Sequence, residues 1–211
     1  ITKKKYKDVP YFMLGHSMGS FLLRQYLGLY GDGISGAIVM GTGSKSNLLL
    51  TAGKVLCRII AFGKGWEYRS KLVNNMAFGG FNKKFSQETN GSDWLSRNPV
   101  NSQKYAKDPL CSFVFTVNAY YQMFCGILAV NHQEKNGKIP KTLPIFLVAG
   151  KDDPVGNFGK SVENIYKNYK SCGIEDVSMK LYENDRHEIL NEVDRSLVFD
   201  DLLTWMEKRK R

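Results

Sequence analysis

A glycine-flanked serine stands between an apolar segment and an amphipathic one near the beginning of the chain. Residues 11–20 read Tyr-Phe-Met-Leu-Gly-His-Ser-Met-Gly-Ser, and apolar residues at helical spacing follow them. A Gly-x-Ser-x-Gly turn that leaves a buried parallel strand and enters a helix lifts the serine hydroxyl above the end of a sheet. The pattern predicts a strand over residues 9–14, a helix over residues 17–30, and close contact between the two at both glycines, Gly15 and Gly19.

Ser17 is therefore the candidate nucleophile, and we expect the backbone N–H of Met18 to point to where an oxyanion forms. In hydrolases built on this turn, an acid and then a histidine follow the serine along the chain. The chain has three histidines. His16 adjoins the serine, and His132 comes before any strand that could deliver an acid, so elimination leaves His187 as the general base.

The acid should follow the apolar segment at residues 144–149, which is predicted to be a strand. Asp152 and Asp153 stand next to each other directly after it. The residues alone leave both open: one would orient the histidine and the other would face solvent.

Three blocks, spread over nearly the whole chain, together resemble the monoacylglycerol lipase and lysophospholipase branch of the α/β-hydrolases, as found in bacteria. They are Leu-Gly-His-Ser-Met-Gly-Ser at 14–20, Gly-Lys-Asp-Asp-Pro-Val-Gly at 150–156 and Arg-His-Glu-Ile-Leu-Asn-Glu at 186–192. The resemblance implies Asp153 as the acid and His187 as the base. It also implies a serine hydrolase that cleaves carboxylic esters of lipid-like substrates, such as monoacylglycerols or lysophospholipids, through an acyl-enzyme and without a metal or organic cofactor.

The chain departs from that branch at its beginning. Members carry a long stretch before the serine turn, with the first strands of the sheet and a His-Gly loop that supplies the second oxyanion donor. We therefore expect this chain to be the C-terminal two-thirds of such a hydrolase, with the N-terminal strands absent. We also expect residues 1–211 alone to be poorly soluble or inactive, because the strand before Ser17 would leave an apolar edge unpaired.

Strands alternate with helices in the remaining chain. Apolar segments at 35–40 and 143–149 are typical of buried strands, whereas residues 177–182 alternate apolar and polar and favour a position nearer a sheet edge. Helices are expected near 159–171 and 193–209. The alternation predicts an α/β fold with a mostly parallel sheet that is covered by helices on both faces.

Residues 44–140 are too long for a simple connection between two strands. The resemblance implies a helical cap, or lid, inserted at this place, with residues 1–43 and 141–211 as a partial α/β-hydrolase core. The alternative is that the apolar residues of the segment only form a packed core.

The apolar residues of this segment fall into two groups. A helical stripe consists of Leu48, Leu49, Ala52, Val55, Leu56, Ile59 and Ile60, and an aromatic-rich cluster consists of Phe113, Phe115, Tyr120, Tyr121, Met123 and Phe124. Such walls suit an alkyl chain, because each buried CH₂ contributes about 0.8 kcal/mol. We predict that Leu56, Ile59, Phe115 and Phe124 line an acyl pocket, and that His16 also contacts the substrate.

The net charge of +10 comes largely from the two ends of the chain. Lys3, Lys4, Lys5, Lys7 and residues 208–211 hold eight basic residues, which are typical of a solvated surface. No recognition motif supports nucleic acid as a partner. We expect a small lipid ester as substrate and transient contact of the cap with a membrane surface. The resemblance implies a bacterial cytoplasmic protein, with membrane association as the alternative, and the spacing of the four cysteines argues against a metal site.

Two other functions stay open. A serine aminopeptidase of the same fold would use the same three residues and would need an acid to hold the substrate amine, for which Glu67, Glu88 and Asp93 are the candidates. The second alternative is a catalytically silent binding domain, against which the intact set of Ser17, Asp153 and His187 counts.

Overall fold

Four parallel strands in chain order form the sheet in the computed structural model, which describes residues 2–85, 91–135 and 138–210. The strands are β1 (Phe12–His16), β2 (Gly36–Met40), β3 (Ile145–Gly150) and β4 (Val177–Tyr182). All four match predicted strands, with ends that shift by up to three residues. In the described part of the chain, β4 lies at one edge, as its alternating pattern predicts, and β1 lies at the other.

The two inner strands are buried along their whole length because both faces of the sheet are covered. On one face, Ala37 and Val39 pack with residues of α2 (Met18–Tyr30) and α7 (Lys160–Ser171). On the other face, Ile38 and Met40 pack with residues of α8 (Arg195–Glu207). Successive strand residues point to opposite faces, so the continuous apolar runs of these strands serve both layers. The predicted sheet with helices on both faces is confirmed.

We call the segment between β2 and β3 the helical insertion, and its described residues form four α-helices. They are α3 (Asn47–Lys64), α4 (Lys71–Phe78), α5 (Pro99–Lys107) and α6 (Val117–Lys135), and a short helix, α1 (Thr2–Lys5), precedes the sheet. Side chains from α3, α4 and α6 share an apolar core of their own, which includes Leu50, Cys57, Val73, Tyr120 and Phe124. None of the helices in the described stretches is long and apolar enough to span a membrane.

The buried line of α3 differs from the apolar stripe that the sequence favours. Leu50, Gly53, Cys57 and Ala61 face the insertion core, whereas Leu48, Val55 and Ile59 are exposed. A Cβ on Gly53 would lie 2.8 Å from the ring of Phe124, so the small residues of α3 allow α6 to approach closely. Leu56 and Ile60 of the predicted stripe also pack against this core. The other members of the stripe are exposed, because α3 is apolar on both sides.

A buried ion pair joins the insertion to the sheet layer. Arg24 of α2 donates from Nε and Nη2 to both carboxylate oxygens of Glu134 in α6, at 2.8 Å each. Its Nη1 donates to Thr42 Oγ1 at 3.0 Å and to the carbonyl of Gly43 at 2.8 Å, just after β2. Tyr169 of α7 also donates to Glu134, at 2.5 Å. The end of the insertion is thereby fastened to α2, the helix that directly follows Ser17.

Candidate active site

The serine turn has the strained backbone that its motif requires. Ser17 has φ 55° and ψ −121°, a conformation that L-residues adopt only where the surroundings enforce it. A Cβ on Gly15 would lie 2.4 Å from the carbonyl oxygen of Gly19 and 2.8 Å from Leu23 Cβ, so close contact is confirmed there. The backbone of Gly19 forms the helix side of this contact, but an added Cβ on Gly19 would meet no atom within 4 Å, so packing does not require glycine there.

Ser17, His187 and Asp153 form a continuous chain of hydrogen bonds. Ser17 Oγ lies 2.8 Å from His187 Nε2, and His187 Nδ1 lies 2.9 Å from Asp153 Oδ2. The imidazole is 2% exposed, and Asp153 is fully buried. A carboxylate only accepts hydrogen bonds, so Nδ1 carries the proton, and this leaves Nε2 free to accept the serine proton.

The structure brings Asp153, and not Asp152, to the histidine. The other carboxylate oxygen of Asp153 accepts a hydrogen bond from the backbone N–H of Val155 at 2.8 Å, which fixes the side chain. Asp152 is half-buried, and its backbone N–H donates to the carbonyl of Asp185 at 2.9 Å. The backbone N–H of Asp153 donates to the carbonyl of Gly150 at 3.2 Å, which closes the turn after β3.

Close backbone packing holds the acid loop against the histidine loop. A Cβ on Gly150, the last residue of β3, would lie 2.1 Å from the carbonyl oxygen of Arg186 and 2.2 Å from that of Asp185. A Cβ on Gly43 would lie 2.3 Å from the carbonyl oxygen of Val155. Glycine at these positions lets three loops at the carboxyl ends of the strands meet, where ligands of α/β sheets usually bind.

Comparison with known proteins supplies the family. A family model described as "Serine aminopeptidase, S33" matches residues 1–194. The chain belongs to this family. Mouse (Mus musculus) monoglyceride lipase is 28% identical over 218 residues that cover 98% of this chain and 61% of the relative. The monoacylglycerol lipase of Mycolicibacterium smegmatis is 23% identical, with 98% of this chain and 65% of that protein covered. The chain thus spans less than two thirds of these relatives.

Solved structures agree with this assignment. A thermostable carboxyl esterase from Bacillus coagulans, in complex with glycerol, is 26% identical with a TM-score of 0.87 and covers 99% of this chain and 67% of the esterase. A monoglyceride lipase variant from Saccharomyces cerevisiae shares the fold at 19% identity, with a TM-score of 0.70 and coverage of 100% of this chain and 66% of that one. These likenesses confirm the predicted α/β-hydrolase fold and the resemblance to the monoacylglycerol lipase branch of the superfamily.

His16, which the sequence analysis predicts to contact the substrate, lies beside His187, the candidate general base. Its Nε2 donates to the carbonyl of His187 at 3.1 Å, and the two rings are 4.7 Å apart. Burial, and then the neighbouring His187, lowers the pKa of His16 below its ordinary value. His16 is therefore neutral at pH 7. Gly41, at φ 57°, leaves room for both rings, since a Cβ there would lie 3.1 Å from His16.

The other predicted site residues are divided between two places. Met18 begins α2, where the first N–H groups have no acceptor within the helix and can serve an anion. Leu56, Phe115 and Phe124 lie in the apolar core of the insertion. Ile59 is 64% exposed on the outer side of α3, so the structure does not bring it together with the other three.

The residues that sequence reasoning missed come from the insertion and from either side of His187. Residues 93–97, which we call the clamp segment, lie against the histidine loop. The indole of Trp94 is 5.1 Å from the imidazole of His187, between ring centroids. Glu192 is fully buried and accepts hydrogen bonds from Ser96 Oγ and from the backbone N–H of Arg97, both at 3.0 Å. The only signal in the sequence is the set of acidic residues around His187, and it does not indicate which segment contacts them.

Asp185 adds a buried carboxyl group to this contact. Burial, and then the nearby Asp194, raises the pKa of Asp185 to about 7. Its Oδ1 accepts a hydrogen bond from Arg97 Nη2 at 3.0 Å, while Oδ2 is buried with no donor among the described residues. A side-chain hydrogen bond between Asp185 and Asp194 contributes to the raised pKa, and such a bond between two carboxyl groups requires a proton on one of them.

Two of the three candidate acids for binding a substrate amine, Glu67 and Asp93, lie among the described residues. Glu67 is exposed. Asp93 is buried and its carboxylate accepts a hydrogen bond from Asn82 at 2.9 Å, while Glu88 lies outside the described residues. Within the described stretches, no group of three or more His, Cys, Asp or Glu side chains is placed to hold a metal ion.

Proposed function

We propose that the protein is a serine hydrolase that cleaves carboxylic esters of lipid-like substrates, such as monoacylglycerols or lysophospholipids, through an acyl-enzyme. The observation that carries the proposal is the hydrogen-bonded chain from Ser17 through His187 to Asp153. The monoglyceride lipase relatives and the esterase structure support an ester as the substrate.

In the proposed acylation step, Ser17 Oγ attacks the ester carbonyl carbon while its proton moves to His187 Nε2. Asp153 keeps the imidazole in the correct tautomer and stabilises the imidazolium that forms. The C–O bond to the alcohol then breaks, and His187 returns the proton to the leaving alkoxide. Water next attacks the acyl-enzyme with His187 as the base again, and the acid leaves from Ser17.

The negative charge that forms on the carbonyl oxygen during acylation and deacylation needs hydrogen-bond donors. The N–H of Met18, at the beginning of α2, supports one half of an oxyanion hole, and the positive end of the helix dipole favours an anion there. The resemblance implies that a His-Gly loop supplies the second donor. Loss of one such donor costs about 10²–10³ in kcat.

Residues 44–140 are proposed to act as a cap that binds the acyl chain, around a core of 1–43 and 141–211. The support is an apolar cluster in which aromatic residues such as Phe115 remain half-buried and so keep surface for a ligand. Phe115→Ser should lower kcat/KM for long-chain esters more than for short ones, by up to about 0.8 kcal/mol for each lost methylene contact. Leu203→Ser is the matched control, because its side chain is exposed on α8 and lies outside the cluster. An equal loss for all chain lengths would favour simple core packing.

Transient contact of the cap with a membrane surface is proposed from the outer side of α3. Leu48, Val55, Ile59 and Phe62 are exposed there, with Phe62 at 98%. Residues 45–66 contain four basic residues and no acidic one, a composition that favours an anionic lipid interface. Phe62→Ser should reduce co-sedimentation with phosphatidylserine-containing vesicles. Unchanged sedimentation would remove this surface from the proposal.

A serine aminopeptidase is the second candidate, because the family model carries that description. A direct comparison separates the two: kcat/KM is measured for a long-chain monoacylglycerol and for an aminoacyl amide on the same preparation. Our proposal expects the ester to be preferred, and Ser17→Ala to abolish both turnover and labelling by a fluorophosphonate probe. Ser196→Ala, on the exposed surface of α8, is the matched control and should label like the parent. Preference for the amide would favour the peptidase. A parent that has a second oxyanion donor and still neither turns over nor labels would favour a silent binding domain.

A further inference from the structure

The clamp segment fastens the insertion to both sides of the catalytic histidine candidate. The backbone N–H of His187 donates to the carbonyl of Trp94 at 3.4 Å, and that of Glu188 donates to the carbonyl of Leu95 at 2.7 Å. Arg186 Nη1 donates to the carbonyl of Ser96 at 3.2 Å. The position of Trp94 is therefore set by the backbone that carries His187 itself.

Two rings contact the imidazole of His187, and they differ in what they can offer it. His16 lies 4.7 Å away at 42°, and Trp94 lies 5.1 Å away at 39°. His16 is neutral, because its pKa is lowered by burial and by His187. The indole is the stronger partner for a cation, since tryptophan binds a positive charge best among the aromatic side chains, within about 6 Å of the ring centroid.

On the proposed function stated above, His187 becomes positively charged when it takes the proton of Ser17. The titratable groups that face it are Asp153 at Nδ1 and His16 beside its ring, while Glu188 follows it in the chain and acts electrostatically on His16. The imidazole is almost completely shielded from water. A charge formed there depends on the groups already in place.

We propose that Trp94 is a positioning residue for His187: its indole holds the imidazole in line between Ser17 and Asp153 and stabilises the charged ring that forms during acylation. The interaction is stronger in the transition state than in the resting enzyme, so it acts on kcat rather than on binding of the substrate.

The test uses a short-chain nitrophenyl ester, which does not depend on an acyl pocket. Trp94→Leu should lower kcat by about 2- to 30-fold with little change in KM, and Trp94→Phe, which keeps a ring, should restore most of the loss. The acid side of the kcat/KM profile should move down by about 0.3–1.5 pH units in the leucine variant, because a cation–π contact favours the charged histidine.

Phe81→Leu is the matched control. Phe81 packs against Trp94 on the insertion side, at 5.0 Å between ring centroids, and it is not among the rings in contact with His187. A merely structural role for Trp94 would make Phe81→Leu as harmful as Trp94→Leu, and that result would overturn the proposal. An unmoved pH profile, or equal activity of the leucine and phenylalanine variants, would also overturn it.

If Trp94→Leu does not fold, a protein with a fluorinated tryptophan incorporated only at position 94 provides the test instead. Fluorine withdraws electron density from the ring face without removing the ring, so kcat should fall while the melting temperature stays the same. Unchanged kcat contradicts the proposal. Ser17→Ala is measured in parallel: if that variant retains turnover, the proposed function fails, whereas a dead Ser17→Ala with an unaffected Trp94 series refutes only the role of Trp94.

Discussion

Asp185→Asn should remove a pH-dependent part of the stability of the histidine loop. The carboxyl group is fully buried, and its pKa is raised from 3.8 to about 7 by burial first and by Asp194 next. The protonated form donates to Asp194 and accepts from Arg97. Asparagine reproduces both hydrogen bonds at every pH, because its amide donates to Asp194 and its carbonyl oxygen accepts from Arg97.

The direction of the effect follows from the raised pKa. Between about pH 4 and pH 7 the folded protein holds a proton on Asp185 that the unfolded chain has lost, so the contribution of Asp185 to stability falls as the pH rises. With a folded pKa of about 7 and an unfolded pKa of 3.8, the contribution falls by about 2–3 kcal/mol from pH 5 to pH 8.

Urea unfolding of the parent and of Asp185→Asn at several pH values between 5 and 8 measures this directly. The free energy of unfolding of the parent, minus that of the variant, should fall by about 2–3 kcal/mol across the range. Taking this difference removes the contribution of His16, whose lowered pKa gives the opposite pH dependence in both proteins. Asp200→Asn, on the exposed surface of α8, is the control, and its free energy of unfolding should show the same pH dependence as that of the parent. Parallel curves for the parent and Asp185→Asn would refute the reasoning.

Two further predictions concern the acid and the serine turn. Asp153→Asn should lower kcat by about 10⁴-fold, because the wrong histidine tautomer is favoured, and Asp152→Asn should cost far less; steady-state kinetics with the reverse ranking would reassign the acid. Gly15→Ala should destabilise the protein by about 1–3 kcal/mol in urea unfolding, since its Cβ meets the backbone at 2.4 Å, whereas Gly19→Ala, with open space, should not. Equal losses for the two glycine variants would show that helix–strand contact is not the cause.

The parts of the fold that the sequence predicts correctly are those with a local signal. The serine turn carries its own glycine pattern, and β2 and β3 are continuous apolar runs because both of their faces are buried. The order of serine, acid and histidine along the chain then indicates His187 as the base. The choice of Asp153 over Asp152 needs the family resemblance, since adjacent carboxylates are equivalent in sequence until the turn after β3 directs one of them inward.

The parts that escaped prediction depend on contacts between distant segments. Helix α3 is apolar on both sides, so its pattern could not tell the core line with Cys57 from the exposed line with Ile59. The contact between Trp94 and His187 joins the insertion to the last loop of the site, and nothing in either segment indicates it. The burial of Asp185 arises in the same way, from Arg97 of the clamp segment.

The central claim, a covalent acyl-enzyme on Ser17, is tested most directly by mass spectrometry of the protein quenched during turnover of a nitrophenyl ester. Our account predicts a mass increase equal to the acyl group, located in the peptide that contains Ser17. The adduct should disappear in Ser17→Ala and also in His187→Ala, which lacks the base that activates the serine. Ester turnover with an acyl group on another residue, or within tenfold of the parent in Ser17→Ala, would contradict the account.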